Sequence, residues 1–214
     1  MCIRDSIYPV QSIGGEWSVI ALSRAGKLSA DKAAKYYSEL CEAVKANGSD
    51  RLSDRKPTEN ARVIIALSSL GKNSADIAGH NLLSGLDDMD YITSQGINAV
   101  IFSLIAFDTT DYSAKTHDEL ITYIVDNMTG KGWALAGDTA DVDITAMAIQ
   151  ALAPYAADEK VNAAIDSGLE FLSESLDENA RYANGSESTS QVLIALAALG
   201  ILSLIHISEP TRPY

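Results

Sequence analysis

The 214-residue chain is short of the residue types that build cross-linked or metal-held proteins: it has two cysteines, three histidines and five prolines. Two cysteines cannot make a disulfide framework, and three scattered histidines leave little for a metal cage. Basic residues are scarce as well. Sixteen Lys and Arg stand against 29 Asp and Glu, a net charge of -13, whereas a partner with a phosphate backbone calls for a surplus of positive charge. Nucleic acid is therefore excluded as the partner. With 47% apolar residues and so little proline, the chain is not a disordered acidic tail either. What is present is enough apolar residue for one mid-sized domain with a real core.

The two ends of the chain read as something other than protein. Codons for Met1-Cys2-Ile3-Arg4-Asp5-Ser6 can be chosen so that their reverse complement, in a shifted frame, encodes Leu-Ser-Leu-Ile-His. The chain repeats that phrase at Leu202-Ser203-Leu204-Ile205-His206. One DNA stretch in inverted orientation explains both, and it resembles the transposon-end adapter used for sequencing libraries. Residues 1–6 and 202–214 are accordingly expected to be adapter scars, and 7–201 the native part of a longer protein. On this reading Met1 is not a native start. The apolar run Val192 to Ile207 is part adapter, so it is no membrane span, and Cys41 is the one native cysteine. Setting the scars aside removes Arg4, Arg212, Asp5 and Glu209 and leaves the net charge unchanged.

Within 7–201 an apolar run ending in a small-residue turn recurs five times. The copies are Trp17 to Gly26, Asn60 to Gly71, Gly96 to Asp108, Thr145 to Pro154 and Thr189 to Gly200. Aligned on Ala21, Ala66, Ser103, Ala151 and Ala195, they are spaced by 45, 37, 48 and 44 residues. Their Ala and Leu content, Thr58 and Ser188 as candidate N-caps, and Gly26, Gly71 and Gly200 as stops predict helices rather than strands. Apolar on nearly all sides, they should be buried all round.

Amphipathic segments lie between them. Tyr37, Leu40, Cys41 and Val44 form one stripe in Ser29 to Gly48. Thr116-His-Asp-Glu119 reads as a capping box opening Leu120 to Met128. Val161, Ala164, Ile165 and Leu169 line one side of Glu159 to Leu176. Alternating all-buried and half-buried helices predict an all-α, two-layered architecture of helical hairpins. Its period alone leaves an open HEAT-like solenoid and a closed ring both available, and the wholly apolar inner layer favours closure.

The stretch Gly137-Asp-Thr-Ala-Asp-Val-Asp143-Ile-Thr-Ala carries most of the chemistry. Asp141 and Asp143 open an otherwise apolar helix, where a carboxylate can cap free N–H groups or face a ligand. Asn60, Asn98 and Gln191 are the other polar residues near inner-helix starts. Each must find a partner in the protein or in a ligand. Trp17, Phe102, Trp133 and Tyr155 are read first as core, His80 and His117 as lone surface or packing residues, and Cys41 as a small buried hydrophobe.

Asp-Val-Asp-Ile-Thr-Ala resembles the Asp-x-Asp-Asp-Thr-Ala motif of squalene–hopene-type cyclases, and the repeats resemble those of the terpenoid-cyclase/prenyltransferase α/α toroid. Asn81-Leu-Leu, Gln95-Gly-Ile-Asn98, Gly132-Trp-Ala-Leu-Ala-Gly137 and Ser186-Glu-Ser-Thr-Ser-Gln-Val192 are closer to bacterial surface proteins with such repeats. These in turn resemble the α-barrel of the cobalamin carriers transcobalamin and intrinsic factor. The resemblance implies an incomplete α/α toroid of about five inner and four outer helices, where the family has six hairpins.

It also implies a non-catalytic binding module at the cell surface or outside the cell. Cobalamin or another amphipathic small molecule is the implied ligand, no cofactor is required, and Asp143 and Gln191 stand where the carriers hold corrin amides. In a cyclase, Asp143 would be the acid and Asp141 its companion, but Ile144 replaces the adjacent supporting carboxylate. The zinc site of a prenyltransferase needs a Cys and His that no inner helix here supplies.

Overall fold

Ten α-helices and no strand are found among the described residues of the computed structural model, which cover 8–179, 181–183 and 185–201. The segments assigned to adapter, 1–6 and 202–214, lie outside them. In chain order the helices are α1 (Ile13–Arg24), α2 (Ala30–Asn47), α3 (Pro57–Ser69), α4 (Leu82–Leu86), α5 (Met89–Thr93), α6 (Ile97–Asp108), α7 (His117–Asp126), α8 (Val142–Leu152), α9 (Glu159–Glu174) and α10 (Ser186–Ala198). The five apolar runs became α1, α3, α6, α8 and α10. No helix among the described residues is long and apolar enough to cross a membrane.

Three of the five share one ending. Gly26, Gly71 and Gly200 take φ of 63°, 64° and 74°, a left-handed turn that only glycine enters without strain. That turn lets the amides of Lys27, Lys72 and Ile201 donate to the carbonyls of Leu22, Leu67 and Leu196 at 2.8, 2.9 and 2.9 Å. Each is a Schellman closure on the same leucine of the repeat, and it satisfies carbonyls the helix leaves open.

The helix starts correct the expectation. Thr58 is not a cap: α3 begins at Pro57, and the Thr58 amide and hydroxyl both donate to the Gln95 side chain. Ser188 lies inside α10, fully buried, its hydroxyl without a partner among the described residues. Nor does the Thr116 hydroxyl close a capping box. It donates to Asp87 at 2.8 Å, because that carboxylate gathers the chain around it.

The chain divides into two compact units, one ending at Leu120 and the other starting at Ile121. In the first, α3 packs against both α1 and α6. That central place buries nearly all of it, from Asn60 through Leu67. By contrast α1 buries only Gly15, Glu16 and Val19, leaving Ile13 and Trp17 70% and 38% exposed. All-round burial therefore holds for α3, and nearly for α6, but not for α1.

Helix α2 presents Tyr36, Leu40 and Val44 to the core, while Tyr37 and Cys41 are only half-buried. The buried stripe is thus turned by one residue from the expected one. Between α3 and α6, where the repeat is shortest, two five-residue helices, α4 and α5, stand in place of the fourth outer helix.

In the second unit α8 packs against α9 and α10. The buried face of α9 is Val161, Ala164, Ile165, Gly168 and Leu172, with Leu169 half-buried. Gly168 is needed there: a Cβ would lie 2.9 Å from the Trp133 ring and 3.0 Å from Ile149. Trp133 is fully buried and donates its indole N–H to the Ile124 carbonyl at 2.6 Å. Helix α10 buries only Ser188, Val192 and Ala195, and Leu193 and Ile194 are each 45% exposed.

Candidate functional site

Helices α6 and α8 each leave one strip open, at the i, i+4, i+7 spacing of a single helix face. On α8 the strip is Asp143, Met147 and Gln150, half-buried among buried neighbours; on α6 it is Asn98, Phe102 and Ile105. Helix α10 is open more widely; on it Gln191 is half-buried and Ile194 exposed. Trp17 of α1 meets Phe102 of α6 with ring centroids 5.6 Å apart and planes tilted by 54°, an arrangement that suits the ring quadrupoles. These two aromatics therefore form an accessible apolar wall rather than filling the core.

The two aspartates have separate tasks. Asp141 is the N-cap of α8, and its Oδ1 accepts the amides of Asp143 and Ile144 at 2.9 and 3.0 Å. Its own amide donates to the Trp133 carbonyl at 2.8 Å. Trp133 in turn donates its amide to the buried Thr145 hydroxyl at 3.0 Å. This loop-to-helix lacing holds the start of α8 in place. Asp143, one position into the helix, has a buried Oδ1 with no hydrogen-bond partner among the described residues. With Ile144 buried beside it, no second carboxylate of the motif is left to work with Asp143.

Asn60 is spent inside the protein. Its Oδ1 accepts the Leu52 amide at 2.8 Å, and its Nδ2 donates to the carbonyls of Asp50 and Leu82 at 2.8 and 3.0 Å. Both amide hydrogens are used in a site with no exposure, so Asn60 ties α3 to the loops around it. Asn98 and Gln191 are half-buried on their strips. Asn60 and Asn98 thus belong to the first unit, and Asp141, Asp143 and Gln191 to the second.

His80 and His117 are not lone. His80 lies 3.1 Å from Asp50, and His117 lies 3.0 Å from Asp108 and 3.5 Å from Asp118. No group of three or more His, Cys, Asp or Glu placed to hold a metal occurs among the described residues.

The sequence reading passed over a buried ionic cluster. Glu16, with no exposure, accepts Arg62 Nε at 3.0 Å on one oxygen and the Tyr36 hydroxyl at 2.9 Å on the other. Burial first, then the Glu16 charge, push the Tyr36 hydroxyl far above its ordinary range, so it stays a donor. The available signal was Arg62 itself, a charge within an apolar run. No family model, curated protein or solved structure matches the chain.

Proposed function

We propose that the chain is part of an α/α toroid and works as a non-catalytic binding module. The observation that carries this reading is the contrast within Asp141-Val-Asp143. One carboxylate is consumed in capping, and the other keeps a buried oxygen that no donor among the described residues meets. A buried acceptor left without a donor costs free energy, which a ligand N–H or O–H can offset. Acid catalysis would instead require a supporting group beside Asp143, and Ile144 supplies none. The toroid assignment is supported by the five apolar helices, the shared Schellman endings and the accessible strips.

Resemblance to the cobalamin carriers makes a corrinoid the first ligand to test, with its side-chain amides as donors to Asp143 and its apolar rim against residues such as Met147. The same resemblance places the protein at the cell surface or outside the cell. Titration of the protein into cyanocobalamin, followed by corrin absorbance, is the test. A saturable shift that Asp143→Ala weakens roughly ten-fold is expected. No shift at all would sink the corrinoid. Turnover of a polyprenyl substrate, lost in Asp143→Asn, would overturn the non-catalytic reading in favour of a cyclase.

A further inference from the structure

A second candidate lies in the first unit, on residues unrelated to Asp143. The C-terminal ends of α3 and α6 border an open cleft of about 640 Å³, within the usual ~300–1,000 Å³ of small-ligand sites. Its walls include Ser68, Thr109 and Thr110 from the two helix ends, and Lys72, Asn73 and Ser74 from the segment after α3. Asp111 and Tyr112 complete them.

Hydrogen-bonding capacity decides what fits. The protons of Ser68, Thr109 and Thr110 are committed to the carbonyls of Thr109, Ala106 and Phe107 at 2.8, 2.8 and 2.9 Å. What those hydroxyls still offer is lone pairs, of which Thr110 already gives one to the Tyr112 amide at 3.3 Å. Asn73 has the opposite surplus: its Oδ1 accepts the Ala75 amide at 2.9 Å, leaving the NH₂ to donate. The hydroxyl of Ser74, a residue only 1% exposed, meets no partner among the described residues and can do both.

Charge balances. Two helix C-termini and the exposed Asp111 carboxylate disfavour an anion. The Lys72 ammonium, 4.7 Å from the Tyr37 ring centroid, opposes a cation. Tyr112 adds a fixed aromatic wall, stacked on Phe107 at 5.9 Å and anchored through its hydroxyl to Asp87 at 3.3 Å.

We propose that this cleft binds a neutral carbohydrate. Each sugar hydroxyl donates and accepts at once, as a wall of mixed lone pairs and N–H groups requires, and the apolar face of a pyranose suits a rigid tyrosine. Saturation-transfer NMR and calorimetry on the full chain with maltose, cellobiose, lactose and N,N'-diacetylchitobiose test the site. At least one should bind with a Kd of about 1 mM or tighter. Asp111→Ala or Asn73→Ala, both at exposed positions, should weaken that sugar roughly ten-fold. Asp143→Ala should leave it unchanged, which separates this site from the proposed ligand site. Failure of all four sugars, or binding unaffected by both cleft substitutions, overturns the proposal. So does displacement of the bound sugar by spermidine or sulfate, which would make the cleft a site for a charged ligand.

Discussion

Arg62 and Glu16 carry opposite charges in a place with almost no water, and neither tolerates losing the other. Arg62 is 8% exposed and Glu16 not at all, so truncating one partner leaves an uncompensated buried charge. Arg62→Ala should cost about 3–5 kcal/mol in urea denaturation. The double replacement Glu16→Leu, Arg62→Met should cost less than that single change, since it removes both charges together; an equal or larger loss would count against this account. Asp87 acts differently, through pH. Burial alone would raise its pKa. The amide of Lys115, the hydroxyl and amide of Thr116 and the Tyr112 hydroxyl outweigh burial and hold it below the ordinary 3.8. A depressed folded value means the stabilisation is present above the unfolded pKa and is lost as pH falls through the folded one. Wild type and Asp87→Asn should therefore differ in urea midpoint at pH 7 and converge below about pH 4. A gap constant across that range would show that Asp87 acts through shape and not through charge.

Three of the apolar helices are closed by glycine backbone geometry, and most helices are opened by a side chain of their own. The Gly26, Gly71 and Gly200 endings are local, needing only a residue that accepts positive φ. Most starts are capped by the residue just before them: the side chains of Ser12, Ser29, Asn81, Asp88, Asp141 and Asp158 accept amides in the first turns of α1, α2, α4, α5, α8 and α9. Helix α3 draws instead on a distant group, the Gln95 side chain, 37 residues away from Thr58. Asp141→Ala should destabilise the second unit by about 0.5–2 kcal/mol. Asp143→Ala, whose side chain caps nothing, should cost clearly less in the same thermal unfolding measurement. If the two losses are equal, the division of labour within the motif is wrong. Thr58 and Ser188 both have the composition of a cap, but α3 already begins at Pro57 and α10 at Ser186, so both residues lie inside their helices.

Across the whole molecule, a net charge of -13 works against exposed apolar faces on α1 and α10. Charge keeps like molecules apart, and salt screens it, whereas Ile13, Trp17, Leu193 and Ile194 keep their attraction. Light scattering should show self-association rising from low to high salt, and Leu193→Lys with Ile194→Lys should reduce it; association that weakens with salt would contradict this balance. The five helices, the glycine endings of three of them and the aspartates at the start of α8 were all legible in the sequence, because each follows from short-range periodicity and turn chemistry. The rotation of the buried stripe on α2, the two short helices after α3, the pairing of Glu16 with Arg62 and the cleft at the ends of α3 and α6 were not. Those depend on which helix lies next to which. Residues 46 positions apart, as Glu16 and Arg62 are, exchange their water for each other only once packing brings them together. The sequence by itself determined that this chain is helical, acidic and repetitive. Tertiary structure alone decided which polar groups are spent within it, as Asn60 is, and which, like the Asp143 oxygen, meet no donor among the described residues, because only packing brings distant groups into reach.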